Sequence, residues 1–175
     1  MFHTPSIEKT KKQSEVMRIP LLIEKTKGQK EIELEDLEKV IKRAKEKYQI
    51  QGIVTGAIKS VYQSSRIQKI CDNLGLWCFN PLWQKNQIDF LHELLENKFK
   101  VIIVGVFSYP FDDTYLGKIL DESLVSELTE LEKKYRINPA GEGGELETFV
   151  LDSPLFKKEI RLLKYKKHMQ SENSG

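Results

Sequence analysis

Several things are scarce in this chain, and each scarcity removes a class of function. The only cysteines, Cys71 and Cys78, are too far apart for a CxxC pair, and the histidines His3, His92 and His168 are scattered, so a zinc site is not expected. No charge dominates either. Twenty-eight Lys and Arg stand against 26 Asp and Glu, a net charge of +2 spread in mixed runs, and nothing in that balance calls for nucleic acid. No apolar run approaches the length of a membrane span, and the N-terminus lacks the charged-then-apolar layout of a signal peptide. These absences lead us to expect a cytoplasmic protein with neither nucleic acid nor membrane as partner. Glycine does not occur before Gly28, and the GxxxxGK[ST] phosphate loop is missing, because Gly52 and Gly56 precede Lys59-Ser60 at the wrong spacing. Internal repeats and low-complexity segments are also lacking.

What is present suits a globular protein: 39% hydrophobic and 31% charged residues over 175 positions, enough for one substantial core or two small ones sharing an interface. Thr4-Pro5 reads as a capped helix start, with the helix running to about Arg18. Ile19 to Thr26, centred on Leu21-Leu22-Ile23, reads as a short buried strand. Leu34, Leu37, Val40, Ile41, Ala44 and Tyr48 recur at helical spacing. Ile50 to Ile58 is apolar and β-branched, a central strand delivering a loop at its carboxyl end. The next helix carries Ile67, Ile70, Cys71 and Leu74 and stops at Gly75, which places Cys71 in the core rather than as a nucleophile. Leu76 to Phe79 is a further strand. This alternation predicts a parallel sheet covered by helices over residues 1–84. A smaller α+β unit is expected over 85–163. It has a helix with Ile88, Leu91, Leu94 and Leu95, a buried strand from Phe99 to Phe107, and an irregular stretch from Ser108 to Asp121. A helix capped by Ser123 and strands at Phe149–Leu151 and Ile160–Leu163 complete it. Residues 164–175 form a polar tail.

Two stretches carry chemistry. In Gly141-Glu142-Gly143-Gly144-Glu145-Leu146-Glu147-Thr148, three glycines let the backbone approach a ligand while three carboxylates project from nearly the same place. A turn gains nothing from clustered acids that repel one another, so this loop is expected to meet a cation. The candidates are a magnesium ion bridging to a nucleotide, an ammonium ion, or a cationic group on a substrate; the plain alternative is a solvated acidic hairpin loop. In the second stretch, Gly56 to Arg66, the residues Lys59, Ser60, Tyr62, Gln63 and Arg66 gather at the mouth of a helix and suit a phosphate or nucleotide. The alternative there is a capped helix with solvated polar residues. His3 is either a site residue at the mouth of the sheet or a polar residue before a capped helix. Of the aromatics Tyr62, Trp77, Trp83, Tyr109 and Phe149, most are expected in the core, with one or two free to cage a quaternary ammonium group.

The run GEGGELETFVLDSP from Gly141 to Pro154, together with Met1-Phe2-His3-Thr4-Pro5 and Gly56-Ala57-Ile58-Lys59-Ser60-Val61-Tyr62-Gln63-Ser64-Ser65-Arg66, resembles the diphthine-ammonia ligase family, from Met1 to about Ile160. These are ATP-pyrophosphatase-type enzymes of the adenine nucleotide alpha hydrolase superfamily, with a Rossmann-like parallel sheet. The resemblance implies transfer of AMP from ATP to the carboxylate of diphthine on elongation factor 2, then displacement of AMP by ammonia, with magnesium accompanying the ATP. On that reading Gly56, Ser60, Tyr62, Gln63, Arg66 and His3 contact the nucleotide or the adenylate, and Gly141, Gly143, Gly144 and Thr148 meet the substrate; charge, rather than the resemblance, assigns Glu142, Glu145 and Glu147 as catalytic groups that meet the ammonia, the metal or the trimethylammonium arm of diphthine. No residue is assigned as a metal ligand, and self-association is left open.

Family members begin with a strand running into an SGGKDS-type phosphate loop, whereas this sequence aligns from a point past the second strand. The first strand, phosphate loop, first helix and second strand are thus expected to be missing, and a truncated or mis-started enzyme is the favoured reading. Its rival is a non-catalytic binding module that keeps the acidic loop and recognises elongation factor 2. Another ATP-pyrophosphatase acting on RNA is a weaker reading, for want of a basic surplus.

Overall fold

The structure is a computed structural model that describes residues 7–26 and 32–164. Its elements in chain order are a 3-10 turn, Ile7–Lys9, then α1, Thr10–Met17, α2, Ile32–Tyr48, and β1, Gly52–Val54. They continue with α3, Val61–Leu74, β2, Trp77–Phe79, and α4, Gln87–Glu96. The last three are β3, Lys100–Val106, α5, Glu122–Tyr135, and β4, Leu146–Asp152. The fold is α/β, with a parallel β1/β2 pair and an antiparallel β3/β4 pair.

The helices form where the apolar period and the end signals agree. α2 places Glu33 and Glu35 in its first turn and Lys45 and Lys47 in its last, matching the helix dipole, and turns Leu34, Leu37 and Ile41 toward a cluster with Ile70, Cys71 and Leu76. α3 is capped by Ser60, whose hydroxyl accepts from the Gln63 N–H at 3.3 Å, and ends at Gly75 in the left-handed conformation (φ 62°). Cys71 is fully buried beside Cys78, and that burial, with the neighbouring thiol, pushes Cys71 up to about 11.

In the parallel pair Gly52, Ile53 and Val54 lie opposite Trp77, Cys78 and Phe79. Ile53 and Cys78 pack toward α2 and α3, whereas Val54, Trp77 and Phe79 alternate to an exposed face. The antiparallel pair is longer. β3 lies against β4 from Lys100↔Asp152 to Val106↔Leu146, with irregularities at Lys100/Val101 and Ile103/Gly105. Its other edge receives the chain near Ile119, as the Leu120 N–H donates to the Val101 oxygen at 2.8 Å and the Ile103 N–H to that of Lys118 at 3.0 Å. α4 and α5 cover the ladder around Val101, Ile103, Leu124, Val125 and Leu128.

Several expectations are corrected. Residues 19–26 are not a strand. Ile19 and Ile23 are exposed, and the stretch runs extended beside α2, held by Arg43 to the Ile23 oxygen at 2.9 Å and to Glu24 at 3.1 Å. A strand needs a neighbour's ladder, and this segment pairs with none among the described residues. Residues 160–163 are likewise not a strand: Ile160 donates to the Leu151 oxygen, and Leu162 and Leu163 then face solvent. The cap of α5 is Asp121, which accepts from the Leu124 N–H at 2.8 Å; Ser123 lies inside the helix. β4 starts at Leu146, three residues earlier than expected, so part of the acidic loop is strand. Of the five aromatics of which most are expected in the core, Trp77, Trp83, Tyr62 and Tyr109 are exposed, the first because the outer face of the parallel pair carries no covering layer among the described residues. The expected helix start at Thr4-Pro5 and the tail beyond Lys164 lie outside the described residues.

Candidate functional site

β1 runs into a turn from Thr55 to Ser60 that is pinned from below. The side chains of Thr55 and Asn80 are hydrogen-bonded to each other, and the Ile58 carbonyl accepts from the Gln84 N–H at 2.8 Å. Ala57 and Ile58 are buried, which turns the successive amides of Ile58, Lys59 and Ser60 outward at the start of α3. Three N–H groups aimed at one point, at a helix N-terminus, make a concave positive seat for an oxygen anion. The group in that seat belongs to the chain itself. Oε1 of Glu142 accepts from Ile58 N–H at 3.1 Å, Lys59 N–H at 3.0 Å and Ser60 N–H at 3.0 Å.

The acidic loop is held just as locally. After α5 the chain turns through Arg136, which has a left-handed φ of 56°, and passes the buried Ile137 and Pro139. Gln87, 2% exposed at the start of α4, clamps it from behind: Nε2 donates to Asn138 Oδ1 at 3.0 Å and Oε1 accepts from Ala140 N–H at 3.0 Å. A buried side-chain amide satisfied at both ends fixes the loop's height above the helix. Glu145 then folds back, its Oε1 accepting from the backbone N–H of Asn138 at 3.0 Å and from its Nδ2 at 2.9 Å, while Oε2 is buried without a hydrogen-bond partner.

Two glycines are needed for distinct reasons. Gly141 has a φ of 76°, and a side chain there would meet the Leu146 carbonyl oxygen at 2.7 Å. Gly143 is needed for room, since a Cβ would lie 2.5 Å from both Asn138 Nδ2 and Glu145 Oε1.

The residues singled out from the sequence are therefore brought together in part. Ser60 and Glu142 meet directly, and this joins the loop after β1 to the acidic loop. The three glutamates do not converge on one point. Glu142 faces backbone amides rather than a cation, Glu145 faces Asn138, and Glu147 lies on β4 opposite Gly105, next to Thr148, which is exposed. Arg66 lies over the Tyr62 ring, its Cζ 3.5 Å from the ring centre, and Nη1 donates to the Tyr62 oxygen at 3.3 Å. Gly56 is exposed and Gln63 serves the cap of α3. His3 lies outside the described residues. Among the described residues no group of three His, Cys, Asp or Glu is placed to hold a metal ion. Gln87 and Asn138, which shape the acidic loop, carry no sequence signal, because a glutamine one residue past a helix cap looks like any solvated polar position.

Comparison with known proteins follows this geometry. Residues 1–78 match the family description "Diphthamide synthase N-terminal domain", and residues 86–174 match "Diphthamide synthase C-terminal domain". The chain is 47% identical over 129 residues to the diphthine--ammonia ligase of Mus musculus, covering 73% of this chain and 48% of that protein. It is 46% identical, with the same coverage, to the diphthine--ammonia ligase of Homo sapiens. Against that of Schizosaccharomyces pombe the identity is 38% over 161 residues, 85% of this chain and 26% of the relative. The chain thus spans about half the length of the mammalian relatives it matches.

Proposed function

The chain belongs to the diphthamide synthase family, and from that premise we propose that it works as the matching part of a diphthine-ammonia ligase, a carbon–nitrogen ligase. A carboxylate oxygen of diphthine on elongation factor 2 attacks the α-phosphorus of ATP, and pyrophosphate leaves. The nitrogen of ammonia then attacks the acyl carbon, the bond to AMP breaks with its electron pair on the phosphate, and the surplus nitrogen proton passes to solvent or a nearby carboxylate. Magnesium bound to the ATP would supply charge neutralisation on its phosphates, and no group of three His, Cys, Asp or Glu among the described residues is placed to hold the ion independently of the nucleotide. On this reading the nucleotide is contacted by Ser60, Tyr62, Gln63, Arg66 and Gly56, and the sequence resemblance adds His3, which lies outside the described residues. On this reading Glu147, Gly141, Gly143, Gly144 and Thr148 meet the substrate's cationic arm and the incoming ammonia, where a carboxylate lowers the energy of both cations, and Glu145, bonded to Asn138 through Oε1, contributes through its second oxygen. With elongation factor 2 as the substrate, the reading puts the work in the cytoplasm; separately, no helix among the described residues is long and apolar enough to cross a membrane.

The observation that supports this reading best is the junction itself. The turn at 58–60, suited to a nucleotide, and the acidic loop, suited to a cation, are in hydrogen-bond contact through Glu142. Chemistry that joins an activated carboxylate to ammonia needs both halves side by side. The expected result is ATP binding by the chain that weakens at least about tenfold in Arg66→Ala, and release of AMP and pyrophosphate in equal amounts with ATP, ammonia and diphthine-bearing elongation factor 2. A second reading, a non-catalytic module that recognises elongation factor 2, draws on the same contact, because Glu142 sits where a phosphate oxygen would accept the same amides. Binding of the elongation factor with no affinity for ATP would select that reading.

A further inference from the structure

We infer that Glu142 is a positioning residue, a bolt that holds the turn at 58–60 and the acidic loop in one register, and not a group that touches ammonia or substrate. Oε1 of Glu142 takes three backbone N–H groups at 3.0–3.1 Å, which fills the accepting capacity of that oxygen and aims the carboxylate at the turn. Its partners are more than eighty positions away in sequence, so the contact stabilises no local turn; it joins one loop to another. Both ends are stiff. The turn is anchored by Gln84 through the Ile58 carbonyl, and the acidic loop by Gln87 through Asn138 and Ala140. A rigid link between two rigid ends transmits displacement. Loosening Asn138, which holds Glu145, therefore reaches the amides of Ile58, Lys59 and Ser60 through Glu142, beside the route through Gln87 and Gln84. Adjacent to the link, Ser60 caps α3, so the same three hydrogen bonds also set the orientation of the helix that carries Tyr62, Gln63 and Arg66.

This rests on the ligase reading for its use in catalysis, though not for its existence. The test is amide hydrogen exchange on the full 175-residue chain, followed residue by residue. Glu142→Ala should raise exchange at 58, 59 and 60 by about tenfold or more, while core amides such as Val125 and Leu128 stay as they were. Glu142→Gln, whose amide oxygen can accept the same bonds, should restore most of the protection, and Glu142→Asp, one methylene short, should not. A merely local role would not predict the next result: Asn138→Ala should speed exchange at 58–60 in the wild-type background and add much less once Glu142→Ala is present. Equal exchange at the three amides in wild type and Glu142→Ala would overturn the bolt, as would additive effects of the two substitutions. ATP titration keeps the two ideas apart. Coupled exchange without ATP affinity leaves the bolt standing and removes the nucleotide reading, whereas ATP binding without coupled exchange does the opposite.

Discussion

The β3/β4 ladder and the β1/β2 pair have the same number of strands, but seven residues stand in each strand of the first and three in each strand of the second. Behind the longer ladder lies a cluster of eleven buried residues, from Leu91 to Leu146; behind the shorter pair lies a cluster of four, Ile41, Ile70, Cys71 and Leu76. The contrast follows from strand direction. An antiparallel ladder can close on one helical layer and leave its far side wet, but a parallel sheet is stable when both faces are covered. Here Val54, Trp77 and Phe79 remain exposed on the uncovered side of the parallel pair. Trp77 partly makes up for this by laying its ring across Gly52, where an added Cβ would come within 2.0 Å of a ring carbon. The candidate site lies at the join between these unequal layers, one loop contributed by each.

The largest effect should come from the stronger layer. Leu128→Ala, at a side chain only 2% exposed beneath the β3/β4 ladder, should lower unfolding free energy by about 2–5 kcal/mol in urea titration. A loss under about 1 kcal/mol would show that the ladder does not depend on this cluster. Next is Gly52→Ala in the parallel pair, expected to cost about 1–3 kcal/mol as the methyl expels the Trp77 ring, with a change in Trp77 fluorescence. Trp77→Ala in the same chain should remove most of that penalty; full additivity would mean that the ring and the glycine do not act together.

The smallest effect concerns acid stability. Burial alone would raise the Glu127 carboxyl, but hydrogen bonds from Tyr115 and Lys118 outweigh it and hold Glu127 below its ordinary 4.5. The folded state thus binds this proton more weakly than the unfolded chain. The stabilisation is complete above pH 4.5 and is lost as pH falls through the lower folded value. Glu127→Gln should flatten the acid limb of Tm against pH slightly, and an unaltered limb would show that the half-buried carboxylate adds nothing.

Much of this architecture is visible in the chain because it follows local rules. The 3.6-residue period of Leu34, Leu37 and Ile41, the Gly75 stop, and the apolar run Val101-Ile102-Ile103 each specify an element from neighbours alone. The same rules misplace residues 19–26 and 160–163, where apolar residues without a pairing partner read like buried strand. They also misplace the cap of α5, since Asp121 and Ser123 are both good caps and only the backbone direction at Asp121 (φ −146°) selects between them. In the site, the glycine and glutamate pattern marks the acidic loop as special, and composition says that it is negative.

The chain's own order of residues settled the helices, the strand cores and the position of the two loops of the candidate site, since those depend on side chains a few positions apart. Tertiary structure alone decided which partner each carboxylate faces. Glu142 meets amides 82 to 84 residues away, Glu145 meets Asn138, and Gln87 reaches across 51 residues to the same asparagine. Such pairings are matters of distance in space, and no periodicity along the chain encodes them.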